Sequence, residues 1–207
     1  MYVYNPNKYG ISEMLTVINE NGIIRTSYPT KGSSVVTKKK GSEARAMSLK
    51  IVLVDGDGDW KETLKSGDLD SFFSCEMYMT VDNGSEQLTI NTATLYGTAL
   101  ISMTDGIINM LTNKDKQTFH ILGFGSVHDY YFHMKGPEIK IEAVNVTNDQ
   151  VELFLFYDKL AFAHDLVKTL KNHLQEIAHI NPRIKEQKRY HLLEHGVSVL
   201  NSILERY

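Results

Sequence analysis

The stretch 117–177, QTFHILGFGSVHDYYFHMKGPEIKIEAVNVTNDQVELFLFYDKLAFAHDLVKTLKNHLQEI, decides the fold. Thr118 to Phe124 reads as a strand, and Tyr130 to Met134 as the next after Gly125-Ser126. Ile139, Ile141 and Ala143 alternate with Glu138, Lys140 and Glu142. After the turn residues Thr147-Asn148-Asp149, Val151, Leu153 and Leu155 alternate with Glu152, Phe154 and Phe156. Alternation with period two puts one set on each face of a sheet. The period then changes. Leu160, Ala163, Leu166, Val167, Leu170, Leu174 and Ile177 form a helical stripe that stops before Asn181-Pro182. Loops this short force consecutive strands to pair antiparallel, because parallel partners need long crossovers.

The same grammar extends backwards. Phe73, Cys75, Met77, Met79 and Val81 alternate with polar neighbours, and Asp82-Asn83-Gly84 supplies the positive φ of a hairpin turn. Leu88 and Ile90 belong to the returning strand. Leu100, Met103, Ile107 and Met110 mark a helix from Gly97-Thr98 to Asn113. Gly106 inside it implies a close neighbour, since glycine weakens a helix interior. Leu49 to Val54 is a continuous apolar run, expected to be a strand buried on both faces. Trp60 to Asp70 reads as a connecting segment. Ile11, Met14, Leu15 and Ile18 sit at helical spacing before Asn21-Gly22, which predicts a short helix, with a short strand at Ile23–Thr26. Tyr28 to Met47, with Pro29, Gly32 and Gly41, reads as a loop or arm. A last helix carries Leu193, Val197, Leu200, Ile203 and Leu204.

The expectation is an α+β fold: an antiparallel sheet of about six strands with helices packed mainly on one face, plus a C-terminal helix. Residues 1–47 form an N-terminal helix and basic arm, 48–180 the core domain, and 181–207 the C-terminal amphipathic helix.

The chain has 207 residues, of which 42% are hydrophobic and 23% charged, enough to bury a core without staples. One cysteine, Cys75, excludes an internal disulfide framework and Cys-rich zinc modules. The start MYVYNPNKYG lacks a basic region followed by an apolar one, and no apolar stretch approaches the roughly 20 residues that span a bilayer. The expectation is a cytoplasmic protein with no membrane association. A net charge of −3 disfavours a dedicated nucleic-acid binder. Charge is nonetheless segregated. Lys38, Lys39 and Lys40 sit in a basic block with Arg25, Lys31, Arg45 and Lys50, and Asp55 to Asp70 form an acidic one. Such blocks either neutralise each other or meet a partner, which makes Lys38, Lys39, Lys40, Asp68 and Asp70 candidate partner-binding residues.

Two patterns suggest metal chemistry. Asp55, Asp57 and Asp59 alternate with glycines after a strand and could gather oxygen ligands. The calcium-loop pattern fails further on, where Trp60 stands in place of glycine and Ser66 in place of glutamate. His191-Leu192-Leu193-Glu194-His195 has the H-x-x-E-H form, in which histidines at i and i+4 share a helical face and the glutamate acts as base. Little chain follows it to supply a further acidic ligand. A metal-dependent hydrolase or nuclease is the enzymatic alternative that these two patterns define. Leu95 to Leu100 together with Gly123-Phe124-Gly125 resembles the glycine turn of the ornithine cyclodeaminase family. A helix must follow such a turn, yet Tyr130–Met134 alternates as a strand, so a dinucleotide site is not expected. No cofactor is expected.

The hairpin around Asp82-Asn83-Gly84, the helix after Tyr96-Gly97, the meander Thr118–Phe156 and the helix from Leu160 together resemble the small α+β immunity and accessory proteins of bacterial toxin and phage conflict systems. The resemblance implies a non-enzymatic protein that binds another protein by surface complementarity. A phage structural or assembly protein, a homo-oligomer with its arm on a neighbouring copy, is the remaining alternative.

Overall fold

The computed structural model describes residues 14–18, 24–29, 37–38, 47–54 and 59–207. These fall into two compact units, residues 1–33 and 34–207. In the first unit, β1 (Met14–Ile18) pairs antiparallel with β2 (Ile24–Pro29), with a register shift between Val17 and Ile18. The helix expected over Ile11–Ile18 is therefore a strand where it is described. Thr16, Val17 and Ile18 are β-branched, and their restricted side chains suit a strand better than a helix. The strand expected at Ile23–Thr26 is present and runs on to Pro29.

The second unit is α+β and contains two antiparallel sheets instead of one. In the first, β4 (Ser48–Val54), β5 (Glu76–Asp82) and β6 (Glu86–Thr92) lie side by side, and the two-residue β3 (Thr37–Lys38) adds to β6. The second is a meander of β7 (Thr118–Ile121), β8 (His128–Lys135), β9 (Glu138–Asn145) and β10 (Val151–Asp158). The helix α3 (Tyr96–Thr112) separates them in the chain. The sheets do not merge, because groups of β6 and of the chain just after it find other partners. Asn91 N–H donates to the Tyr130 hydroxyl at 2.9 Å, and Ala93 N–H donates to the Gly123 carbonyl at 2.9 Å. These bonds satisfy backbone groups that would otherwise need a ladder.

The helices are α1 (Trp60–Ser66), α2 (Leu69–Phe72), α3, α4 (Lys159–Ile180) and α5 (Lys188–Leu204), with a 3-10 turn at Pro182–Glu186. The segment expected as a connection at Trp60–Asp70 is thus helical. Asp59 and Asp68 are its N-caps, and Gly67 at φ 89° closes α1 in the left-handed conformation. β4 is an edge strand, half-buried where burial on both faces was expected. Leu49 and Leu53 face the core while Val52 stays 43% exposed. Its edge is covered by α4, whose Thr169 hydroxyl donates to the Leu49 carbonyl at 3.1 Å.

Within the second unit a single core joins the sheets and helices. Met77, Met79 and Val81 from β5, Tyr130 and Phe132 from β8, and Ile139 and Ile141 from β9 are buried, as are Phe162, Leu166 and Leu170 from α4. Leu193, Val197 and Leu200 place α5 in the same core, against α3 and α4. Its Gly196 leaves no room for a side chain, since a Cβ there would lie 2.8 Å from Thr104 Cγ2 on α3. Among the described residues, no helix is long and apolar enough to cross a membrane.

Candidate functional site: the outer face of the four-stranded sheet

Strand register builds this face residue by residue. Phe132, Ile141 and Leu155 point into the core, so their neighbours in sequence point out. Pairing of β7 to β8, β8 to β9 and β9 to β10 then places His120, Tyr131, Glu142 and Phe154 in one row across the sheet. Thr118, His133, Lys140 and Phe156 form the adjacent row. Helix α4 covers the inner side, where the Phe132 and Phe162 rings lie 6.1 Å apart.

The outer face is rich in rings. His120 stacks on Tyr131 with centroids 5.5 Å apart, and Tyr131 is nearly parallel to His133 at 6.5 Å. Phe154 and Phe156 meet edge to face at 5.8 Å, and Lys140 Nζ lies 5.2 Å from the Phe154 centroid. Phe154 is 49% exposed and Phe156 43%, which leaves two large apolar side chains adjacent on a sheet surface. At the centre, Glu142 takes an ion pair from Lys140 through one carboxylate oxygen, and His133 Nε2 lies 2.9 Å from the other. Partial burial pushes the Glu142 carboxyl up, but the Lys140 hydrogen bond and charge, followed by His133, hold it below its ordinary value.

One end of the same sheet carries a second polar group. The ring of His128 is buried at the start of β8, and its Nε2 lies 2.6 Å from Glu152 Oε2 on β10. Asn145 on β9 donates to Glu152 Oε1 at 2.8 Å. Burial raises the Glu152 carboxyl, and the bonds from His128 and Asn145 outweigh it, so the group lies below its ordinary value. His128 Nδ1 is buried and has no hydrogen-bond partner among the described residues. The trio ties three strand ends together.

Asp59 is occupied as the α1 cap, accepting from Lys61 N–H at 3.0 Å; Asp55 and Asp57 lie outside the described residues. His191, Glu194 and His195 are all exposed on α5. Glu194 lines a 310 Å³ cleft with Lys171, Leu174, Tyr190 and Val197, and neither histidine lines it. Among the described residues no group of three or more His, Cys, Asp or Glu side chains could hold a metal ion. Asp68 caps α2 through Ser71 N–H at 3.2 Å, and the Ser71 hydroxyl and then its N–H hold the carboxyl below its ordinary value. The Asp70 side chain is 87% exposed, 3.9 Å from Arg189 Nη1. Lys38 lies in β3, and Lys39 and Lys40 lie outside the described residues. Among the described acidic candidates, Asp59 and Asp68 each cap a helix. After the Gly123-Phe124-Gly125 turn the chain enters β8, the strand that the dinucleotide reading could not accommodate.

Sequence alternation already separated Phe154 and Phe156 from the core side of β10. It carried no signal that these two rings stay about half exposed. Comparison with protein-family models, curated proteins and solved structures finds no significant match for this chain.

Proposed function

We propose that this is a non-enzymatic protein-binding protein, of the immunity or accessory kind found in bacterial toxin and phage conflict systems, which blocks or escorts its partner by surface complementarity. The observation that carries this reading is the outer face of the four-stranded sheet, where Phe154 and Phe156 stand exposed on one side of a paired Lys140–Glu142 centre and Tyr131 lies on the other. Aromatic side chains with few unpaired charges are the composition that distinguishes interface cores from ordinary surface. Tyrosine and phenylalanine also deliver large contact area at low entropic cost. The test is affinity capture from native extract with the tagged full chain and with F154S/F156S. The expected result is one dominant protein retained by the first and lost by the second. Capture of nothing by the first, or equal capture by both, overturns the reading.

A further inference from the structure

At the centre of the outer face, in the two middle rows, the charges are arranged so that the surface is complementary to itself. One row, across β8, β9 and β10, runs His133, Lys140, Phe156. The next runs Tyr131, Glu142, Phe154. Lys140 and Glu142 are the only charged members at the centre of each row, and they are two residues apart on the same strand, β9.

A two-fold axis lying in the plane between two such faces, perpendicular to the strands and passing over Ile141, exchanges the rows. Lys140 of one copy then faces Glu142 of the other, and Glu142 faces Lys140. Phe156 falls on Phe154 and His133 on Tyr131, so ring meets ring on both flanks. The other in-plane axis, parallel to the strands, would set Lys140 against Lys140 and Glu142 against Glu142. Charge therefore selects one of the two symmetric arrangements. Such contacts are isologous, the commonest form of closed oligomer, and like-charge juxtaposition penalises the alternative.

We propose that this face closes on a second copy of the chain, giving an antiparallel face-to-face dimer in which Lys140 and Glu142 pair across the two-fold axis. The proposal rests on the reading of the face as a docking surface and names its resting occupant; a heterologous partner would compete with the second copy. Three strands of eight residues and one of four, at about 4.8 Å spacing and about 3.3 Å per residue, give a footprint on the order of 450 Å² per copy. That is at the low end of specific interfaces, where association is weak and transient, so the dimer is sought across a wide concentration range.

The experiment is sedimentation velocity of the full chain from about 1 to 200 µM, a range set by that footprint, with melting curves run in parallel to show that each variant folds. Wild type should move from monomer to dimer mass across the range. K140E makes the face wholly acidic at its centre and E142K makes it wholly basic, so each alone should lose dimer by about tenfold or more. Mixed in equal amounts, the two variants should associate one to one, which no repair within a single chain can mimic. A wild type that stays monomeric throughout overturns the inference, as does a dimer indifferent to both substitutions or a pair of variants that fail to associate on mixing. The two proposals fail separately. A monomeric wild type that still captures a partner through Phe154 and Phe156 sinks the dimer and leaves the binder. A dimer whose chain captures nothing from native extract does the reverse.

Discussion

Gly106 on α3 lies directly against the ring of Phe119 on β7, so closely that a Cβ at this position would overlap the ring carbons. The glycine that weakens the helix locally is what lets the helix sit against the edge strand of the meander. An alanine gains about 1 kcal/mol of helix propensity, but overpacking in a filled site costs about 1–3 kcal/mol. G106A should therefore be neutral to about 2 kcal/mol destabilised by urea unfolding, and G106V worse. In the double variant G106A/F119L the loss should shrink, because the two sites share one contact. A fully additive double variant would show that the ring is not what limits the site.

Burial alone drives His173 from 6.5 down to about 4, and its Nε2 has no hydrogen-bond partner. The Tyr96 ring meets it edge-on at 5.7 Å, and the Tyr96 hydroxyl is likewise buried without a partner. The neutral imidazole is the form the fold accepts. In the unfolded chain the ring protonates as pH drops below about 6.5, so stability falls from there until the folded protein also takes up the proton near 4. The full loss is about 3 kcal/mol, at 1.36 kcal/mol for each unit of depression. Unfolding of wild type and H173L should show a difference in pH slope between about 6.5 and 4 and none above about 7.5. Parallel curves through that window would refute the assignment.

Three strand ends of the meander are held by His128, Asn145 and Glu152. E152A leaves the buried His128 ring without the partner of its Nε2, at a cost of about 1–3 kcal/mol. N145A removes one of two bonds to the Glu152 carboxylate and also the acceptor of the Thr147 N–H, and should cost about 1–2 kcal/mol. Because the Glu152 carboxyl is held below its ordinary value of 4.5, its contribution is present above that pH and is lost as pH falls through the folded value. Denaturant unfolding at pH 7 and again near pH 3 checks both points: the gap between wild type and E152A should be wide at the first and narrowed at the second.

Much of this architecture was legible because it is periodic. The β5–β6 hairpin, α3, the meander from β8 and α4 all announce themselves through period two or 3.6. What failed was non-periodic or non-local. Met14, Leu15 and Ile18 satisfy helical spacing and also a short strand, and only the β-branched Thr16-Val17-Ile18 tips the balance. Whether β6 joins β8 or stops beside it depends on Tyr130 reaching Asn91, 39 residues away, which no local pattern encodes. His128 and Glu152 meet only because β8, β9 and β10 take one particular register. The exposure of Phe154 and Phe156 depends on which sheet side α4 covers. The start signal of α1 is local: Asp59 is followed three residues later by Glu62, with Gly67 beyond as the stop.

That start signal yields a prediction that also bears on metal chemistry. If Asp59 serves α1 by accepting the Lys61 N–H, then serine, which caps nearly as well, should preserve the protein, and alanine should not. D59A should lose about 1 kcal/mol and D59S much less. A metal ligand behaves differently, because a serine hydroxyl is a poor substitute for a carboxylate on calcium or magnesium. Melting curves with added calcium, added magnesium or chelator separate the two roles. The capping role predicts the same order of stability, wild type and D59S above D59A, under all three conditions. A cation-dependent rise in melting temperature that wild type shows and both variants lose would instead place Asp59 in a metal site with Asp55 and Asp57.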